Sequence, residues 1–142
     1  RFIELAGQVN RNMPQWVIKK AEVGLIEKGK EMSGSKVLIL GMAYKKNVDD
    51  LRESPSFELI RLLLEKKAQV DYHDFYIPKL HKTRKYDFEF ESVKLDTIST
   101  YDLVILATDH DKYDYEFLQT NAQIIVDTRG RLNNTLNNVI PA

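Results

Sequence analysis

The chain has 142 residues, with 21 lysines and arginines against 21 aspartates and glutamates and a formal net charge of zero. That is enough for one domain with a real core, and the balance offers no overall field to recruit nucleic acid or an acidic membrane. The chain contains no cysteine, which excludes a disulfide framework, a thiolate nucleophile and a cysteine zinc site, and fits a reducing, cytoplasmic setting.

His73, His81 and His110 are too scattered to suggest a metal site. No signal peptide is evident, and no apolar run approaches the length needed to span a bilayer. The start at Arg1, inside a helical pattern and without an initiator methionine, predicts a fragment of a larger protein.

Residues 2–32 read as helix-forming. Phe2, Leu5, Ala6, Val9, Met13, Trp16 and Val17 recur every three or four positions as one apolar stripe. Pro14 is expected to kink or restart the helix, and Gly29 with Ser33, Gly34 and Ser35 to end it. A helix of this length cannot bury its whole apolar face on a small α/β unit, so the remainder is expected to pack on another subunit or domain.

Val37, Leu38, Ile39 and Leu40 are four consecutive apolar residues, too few for a helix, and read as a parallel strand buried on both faces. Gly41 lets the backbone turn into a long charged loop. Ser54 and Pro55 mark the next helix start, because serine can accept from free first-turn amides and proline loses nothing at the first helical position.

Residues 55–67 form that helix, with Phe57, Leu59, Ile60, Leu63 and Leu64 turned to the sheet. A second strand follows at 68–73, then a turn at 74–78. Residues 79–95 read as irregular and charged, with a short edge strand near 88–93. The third strand is 102–107, a short helix 114–120, and a fourth strand 123–127. Strands alternating with helices imply right-handed crossovers and a mostly parallel sheet, a Rossmann-like three-layer α/β fold. The expected division is a linker helix at 1–34 and a domain at 35–142.

In a parallel sheet three strand ends converge: 41–52, 108–113 and 127–131. They offer Lys45, Lys46, Arg52, Arg129 and Arg131 as cations and Tyr44 as an aromatic plate, at the edge where open α/β sheets bind ligands. A phosphate-bearing ligand with a planar base suits that set, since guanidinium grips phosphate in bidentate fashion and lysine supplies a point charge. The alternative is a solvated loop whose Lys45, Asp49, Asp50, Arg52 and Glu53 pair with one another. The glycines of a dinucleotide fingerprint, G-x-G-x-x-G, are absent.

Asp109, His110 and Asp111 read as a polar loop rather than a metal cluster, because adjacent residues do not converge easily on one ion. His73 beside Asp74 is either an acid/base pair or, more commonly, a strand-end histidine bonded to backbone. Trp16 and the methionines read as packing.

Taken in order, GMAYKKNVDDLRESPSFELI, QVDYHDFYIP, YDLVILATDHDKYDYEFL and VDTRG resemble the carboxyl-terminal domain of the UDP-glucose/GDP-mannose dehydrogenase family. The likeness is greatest to bacterial UDP-N-acetylglucosamine 6-dehydrogenases of surface-polysaccharide synthesis. RFIELAGQVNRNMP resembles the family's central helix, which implies a homodimer through it. The resemblance implies an amino-terminal NAD domain, a UDP-sugar bound by the carboxyl-terminal domain, and oxidation of the sugar C6 alcohol to carboxylate with two NAD reduced, by way of a cysteine-bound thiohemiacetal and thioester.

Carried over by motif, Tyr44 and Lys45 match the pair that meets the UDP-sugar, Arg129 matches an arginine reaching the same ligand, and Arg52 matches one extending to NAD. The family's G-G-x-C-x-x-x-D and Rossmann glycine motifs are absent. The implied catalytic residues therefore lie on other polypeptide, NAD is held mainly there, and this chain alone is expected to be inactive. The rival readings are a non-catalytic nucleotide-binding module and an oligomerisation module.

Overall fold

The apolar runs of the sequence become the centre of a sheet. In the computed structural model, which describes residues 2–43, 46, 47 and 54–142 (side chains from residue 13 onward), helix α1 (Phe2–Glu27) leads into β1 (Lys36–Leu40). Then follow α2 (Pro55–Glu65), β2 (Gln69–His73), β3 (Lys79–Leu80), β4 (Phe90–Glu91), a 3₁₀ turn at Ile98–Thr100 and β5 (Leu103–Leu106). Helix α3 (Tyr115–Asn121), β6 (Ile125–Asp127) and β7 (Val139–Pro141) complete the chain.

The main sheet has the order β2-β1-β5-β6-β7, and every pairing in it is parallel. The chain moves from β1 outward to β2, then returns to β5 on the other side of β1. The boundary between β1 and β5 is thus the topological switch point, the position at which sheets of this class place their ligand sites. Register aligns the strand ends: Leu40 lies opposite both His73 and Leu106, and Leu106 opposite Asp127. The loops after β2, β1, β5 and β6 therefore leave the sheet at one level.

Both faces of the sheet are covered. Val37, Ile39, Ile105 and Val126 pack with α2 and with Val17, Ile18, Ala21 and Leu25 of α1. Leu38, Leu40, Val104, Leu106 and Ile125 pack on the other face with Leu118 of α3. Alternate residues of one strand enter opposite layers, as the two-residue period requires. Each such side chain, fully buried, contributes about 1.5–3 kcal/mol by leaving water.

The structure alters several expectations. Helix α1 stops at Glu27 and runs without restart through Pro14, with the packing of Val17, Ile18, Ala21 and Leu25 against the sheet favouring a continuous helix over the break that proline alone would impose. Trp16 is 50% exposed, as are Val23 (51%) and Ile26 (67%) on the face turned from the sheet, while Val17 is buried. Residues 79–95 contain two short strands, not one, paired antiparallel as a strap, with Phe88 and Tyr86 stacked on Phe57 of α2. Strand β7 has no counterpart in the sequence reading. Among the described residues no helix is long and apolar enough to cross a membrane, and no group of three or more histidines and acids could hold a metal ion.

Candidate functional site

At the carboxyl ends of β1, β2, β5 and β6 the sequence supplies a glycine, two threonines and two buried acids, and each has a defined task. Gly41 adopts φ +92°, and a Cβ added there would fall 2.8 Å from both the Thr108 amide nitrogen and its carbonyl oxygen. Only glycine allows the β1 and β5 ends to approach so closely at the switch point.

The neck of the β1–α2 loop is then stitched down. Gly41 donates its N–H to His73 O (2.8 Å), Met42 N–H to Asp74 Oδ2 (2.7 Å), and Thr108 Oγ1 donates to Ala43 O (2.9 Å). Ser54, the N-cap of α2, accepts from Ser56 N–H and donates to Met42 O (2.6 Å), and Ser56 Oγ donates to Gly41 O (2.9 Å). The serine and proline at the helix start thus do what their sequence positions predict, and they also hold the loop.

Asp74 is the organising acid. Its Oδ1 accepts from Tyr76 N–H (2.8 Å), closing the turn after β2, while Oδ2 accepts from Met42 N–H and faces His110 Nε2 at 3.0 Å. Burial alone would raise this carboxyl, but the hydrogen bonds from His110, Met42 and Tyr76 outweigh it and hold Asp74 below its ordinary range. His110 is completely buried. Its Nδ1 accepts the Asn47 N–H at 2.7 Å, so the ring proton sits on Nε2 and is donated to Asp74.

His73 approaches Tyr113 Oη with Nδ1 at 3.0 Å, and Tyr113 Oη lies 3.0 Å from His73 O. Both contacts are satisfied when the phenol donates to the carbonyl and accepts from the ring. Burial pushes the His73 imidazole down, partly countered by Asp74, and pushes the Tyr113 phenol well up.

A second acid, Asp127, folds the β6 turn. Its Oδ1 accepts from the Arg129 and Gly130 amides and its Oδ2 from the Leu132 amide, at 2.8–2.9 Å. Thr128 Oγ1 donates to Leu106 O (2.7 Å). The Arg129 side chain is exposed, and its Nε donates to Ala107 O at 2.8 Å across the end of β5. Among the described residues no carboxylate pairs with it.

Arg131 is placed otherwise. Its guanidinium lies 4.4 Å over the Tyr115 ring and bridges Asp109 and Asp111 at 3.3 and 3.4 Å. Lys46 stands 3.8 Å from Asp111, both exposed, a contact of little energetic consequence. Tyr44, Lys45 and Arg52, three of the four residues singled out from sequence, lie outside the described residues, as do Asp49, Asp50 and Glu53.

Asp109, His110 and Asp111 lie in the loop between β5 and α3, and the structure adds what the sequence did not give: His110 is a buried member of the Asp74 network, and Asp111 exchanges hydrogen bonds with Asn47. The likelier reading of His73, a ring bonded to backbone, is replaced, since its ring meets the Tyr113 hydroxyl. Asn47 and His110 were missed as partners because their bonds cross 63 residues of sequence.

A five-stranded parallel sheet whose strand order reverses between β1 and β5 defines a doubly wound α/β class of domain. The model of the UDP-glucose/GDP-mannose dehydrogenase family, UDP binding domain, matches residues 38–134, and the chain belongs to that family. It is 38% identical over 114 residues to the UDP-N-acetyl-D-mannosamine dehydrogenase of Methanococcus maripaludis, covering 80% of this chain and 24% of that protein. It is 28% identical over 132 residues to the UDP-glucose 6-dehydrogenase of Haloferax volcanii, covering 91% and 30%.

Among solved structures, NDP-N-acetyl-D-galactosaminuronic acid dehydrogenase from Methanosarcina mazei superposes with TM-score 0.80 at 24% identity, over 100% of this chain and 31% of that one. A UDP-glucose dehydrogenase from Pyrobaculum islandicum gives 0.67 at 28% identity, over 94% and 30%. The chain thus spans about a quarter to a third of the length of these proteins.

The fold invites a test for a resident dinucleotide, and the residues do not fit one. The turn after β1 is Gly41-Met42-Ala43, and the start of α2 is engaged by the loop's own carbonyls through Ser54 and Ser56. A pyrophosphate cradle needs glycine amides at that helix start.

Proposed function

We propose that this chain is the UDP-sugar-binding domain of an NAD-dependent nucleotide-sugar 6-dehydrogenase. The observation that carries the reading is that the β1 end, where the β1–α2 loop begins, and the β6 end, which bears the Arg129 turn, flank the end of β5 at one level of the sheet. Tyr44 supplies a surface for the uracil or sugar ring, Lys45 a point charge and Arg129 a fork for the diphosphate. Arg129 suits that role because its Nε is held by a neutral carbonyl, which orients the guanidinium, and among the described residues no carboxylate pairs with it.

The chemistry at C6 needs a nucleophilic cysteine, and this sequence has none. Oxidation therefore depends on polypeptide other than this domain, with NAD held there and Arg52 reaching it. Residues 1–34, with α1 at their centre, form the linking and dimerising segment in this reading, and the exposed Trp16, Val23 and Ile26 on the face of α1 turned from the sheet support it. The product, a nucleotide-linked uronic acid, serves surface-polysaccharide synthesis.

The test is calorimetric titration of the full-length protein with UDP. Lys45→Glu should weaken binding roughly 10- to 100-fold, since one charge-assisted hydrogen bond contributes about 1.5–3 kcal/mol. Unchanged affinity would refute the assignment. The 142-residue chain alone should generate no NADH from NAD and UDP-sugar.

A further inference from the structure

We propose that Asp74, His110 and Asp111 form a clamp that positions the β1–α2 loop through Asn47, and so sets the affinity of the site for a uridine diphosphate. The inference deepens the reading above and rests on it.

The loop is anchored twice. Its lower anchor is Met42–Ala43, fixed by Asp74 Oδ2 on Met42 N–H (2.7 Å) and Thr108 Oγ1 on Ala43 O (2.9 Å). Its upper anchor is Asn47. The Asn47 N–H is taken by His110 Nδ1 (2.7 Å), Asn47 Nδ2 donates to Asp111 Oδ2 (2.7 Å), and Asp111 N–H donates to Asn47 Oδ1 (2.9 Å). Asn47 carries φ +64°, a conformation asparagine accepts more readily than most residues, so the side chain that makes the exchange also tolerates the turn.

Tyr44 and Lys45 lie in the chain between these anchors.

The two anchors meet on a single atom. Asp74 Oδ2 accepts from the Met42 amide of the lower one and from His110 of the upper one. His110 suits the bridge because an imidazole offers an acceptor on one edge and a donor on the other, and a buried polar group is tolerated only when both are used. The ring is held from outside the loop by Tyr76, 4.8 Å away edge-on, and the His110 carbonyl by the Tyr115 hydroxyl at 2.6 Å. A histidine serving only its own turn would bond within residues 108–113. Both side-chain partners of His110 instead belong to other connections, and one belongs to the loop that the functional reading requires. His110, Asp74 and Asp111 are positioning residues in this scheme.

The test uses the full-length protein and three variants. His110→Phe removes both ring bonds at similar bulk. His110→Gln returns one acceptor and one donor. Asn47→Gly keeps the positive φ and the backbone amide but deletes the exchange with Asp111, on an exposed residue that threatens folding little. Two readouts are taken: amide hydrogen exchange of residues 42–47 against that of β1 and β5, and UDP affinity by calorimetry.

The expected result is faster exchange at 42–47 with strand protection unchanged. UDP binding should weaken three- to tenfold in Asn47→Gly, the effect of one or two hydrogen bonds, and tenfold or more in His110→Phe, with partial recovery in His110→Gln. Wild-type UDP affinity in Asn47→Gly despite faster loop exchange overturns the proposal, and so does unaltered exchange at 42–47. Absence of saturable UDP binding by the unmutated protein overturns both readings at once, whereas normal binding there and in every variant overturns the clamp alone.

Discussion

Gly41→Ala is the most direct probe of the switch point. Two penalties combine at this position. The first is conformational: an L-residue at φ +92° costs about 1–3 kcal/mol. The second is steric, because the new methyl would meet the Thr108 side chain and lie 2.8 Å from that residue's backbone nitrogen and oxygen. The Thr108 amide is itself bonded to Leu40 O, which limits how far that backbone can give, so overpacking adds about 1–3 kcal/mol.

Gly29→Ala separates the two terms, since Gly29 has φ +73° and nothing within 4 Å of its added Cβ. Thermal and urea denaturation followed by circular dichroism should therefore rank Gly41→Ala below Gly29→Ala by at least about 1 kcal/mol, or several degrees in Tm for a domain of this size. The UDP affinity of Gly41→Ala should also fall, because the loop neck begins at this residue. Equal stability of the two variants, within about 0.5 kcal/mol, would refute the claim that the β1 and β5 ends are held at contact distance.

Ser54→Ala should destabilise by about 1–2 kcal/mol in urea titration, losing the α2 cap and leaving the Met42 carbonyl without its hydroxyl donor. Arg129→Ala should weaken UDP binding well beyond Arg131→Ala in parallel calorimetry, since Asp109, Asp111 and the Tyr115 ring already engage Arg131. For pH dependence the sign follows from His73. Burial lowers its folded pKa from the ordinary 6.5, so below about pH 6.5 the unfolded chain binds a proton that the native state resists, and stability falls on acidification down to the folded pKa. Urea midpoints between pH 8 and 5 should show that slope, and His73→Phe should flatten it; parallel slopes would contradict the assignment.

The parts of the fold legible in the sequence are those governed by local pattern. Val37–Leu40 and Leu103–Leu106 announce buried parallel strands through unbroken branched apolar runs, and Ser54-Pro55 announces a helix start through capping chemistry. Strand β7 was hidden because Val139–Pro141 is three residues long, ends in proline and has one buried residue. Its strand character comes from pairing with β6 rather than from its own composition. Trp16 misled for a related reason: helical spacing identifies a stripe but not its edge, and α1 turns Val17, Ile18, Ala21 and Leu25 inward. The network of Asp74, His110 and Asn47 left no local signal at all, since each bond joins different connections and their meeting depends on strand register.

The same register explains why the two buried acids at the strand ends, Asp74 and Asp127, are engaged by backbone amides. Amides just past the end of a parallel strand have no ladder partner, and a buried amide must find an acceptor. Asp74 and Asp127 supply it: their four oxygens accept from the amides of Met42, Tyr76, Arg129, Gly130 and Leu132 and from His110. Both buried acids are thus committed to neutral donors and not to the lysine and arginine side chains nearby. Arg129, in turn, is steadied by the Ala107 carbonyl, and among the described residues by no carboxylate. An Asp127→Asn substitution would exchange one of those acceptor oxygens for a donor facing backbone amides, loosening the Arg129 turn without adding a competing cation or anion at the surface. Its loss of UDP affinity should therefore exceed what the removal of one distant negative charge, which by itself would favour an anionic ligand, could explain; tighter UDP binding in that variant would show that long-range charge, and not turn geometry, governs the site.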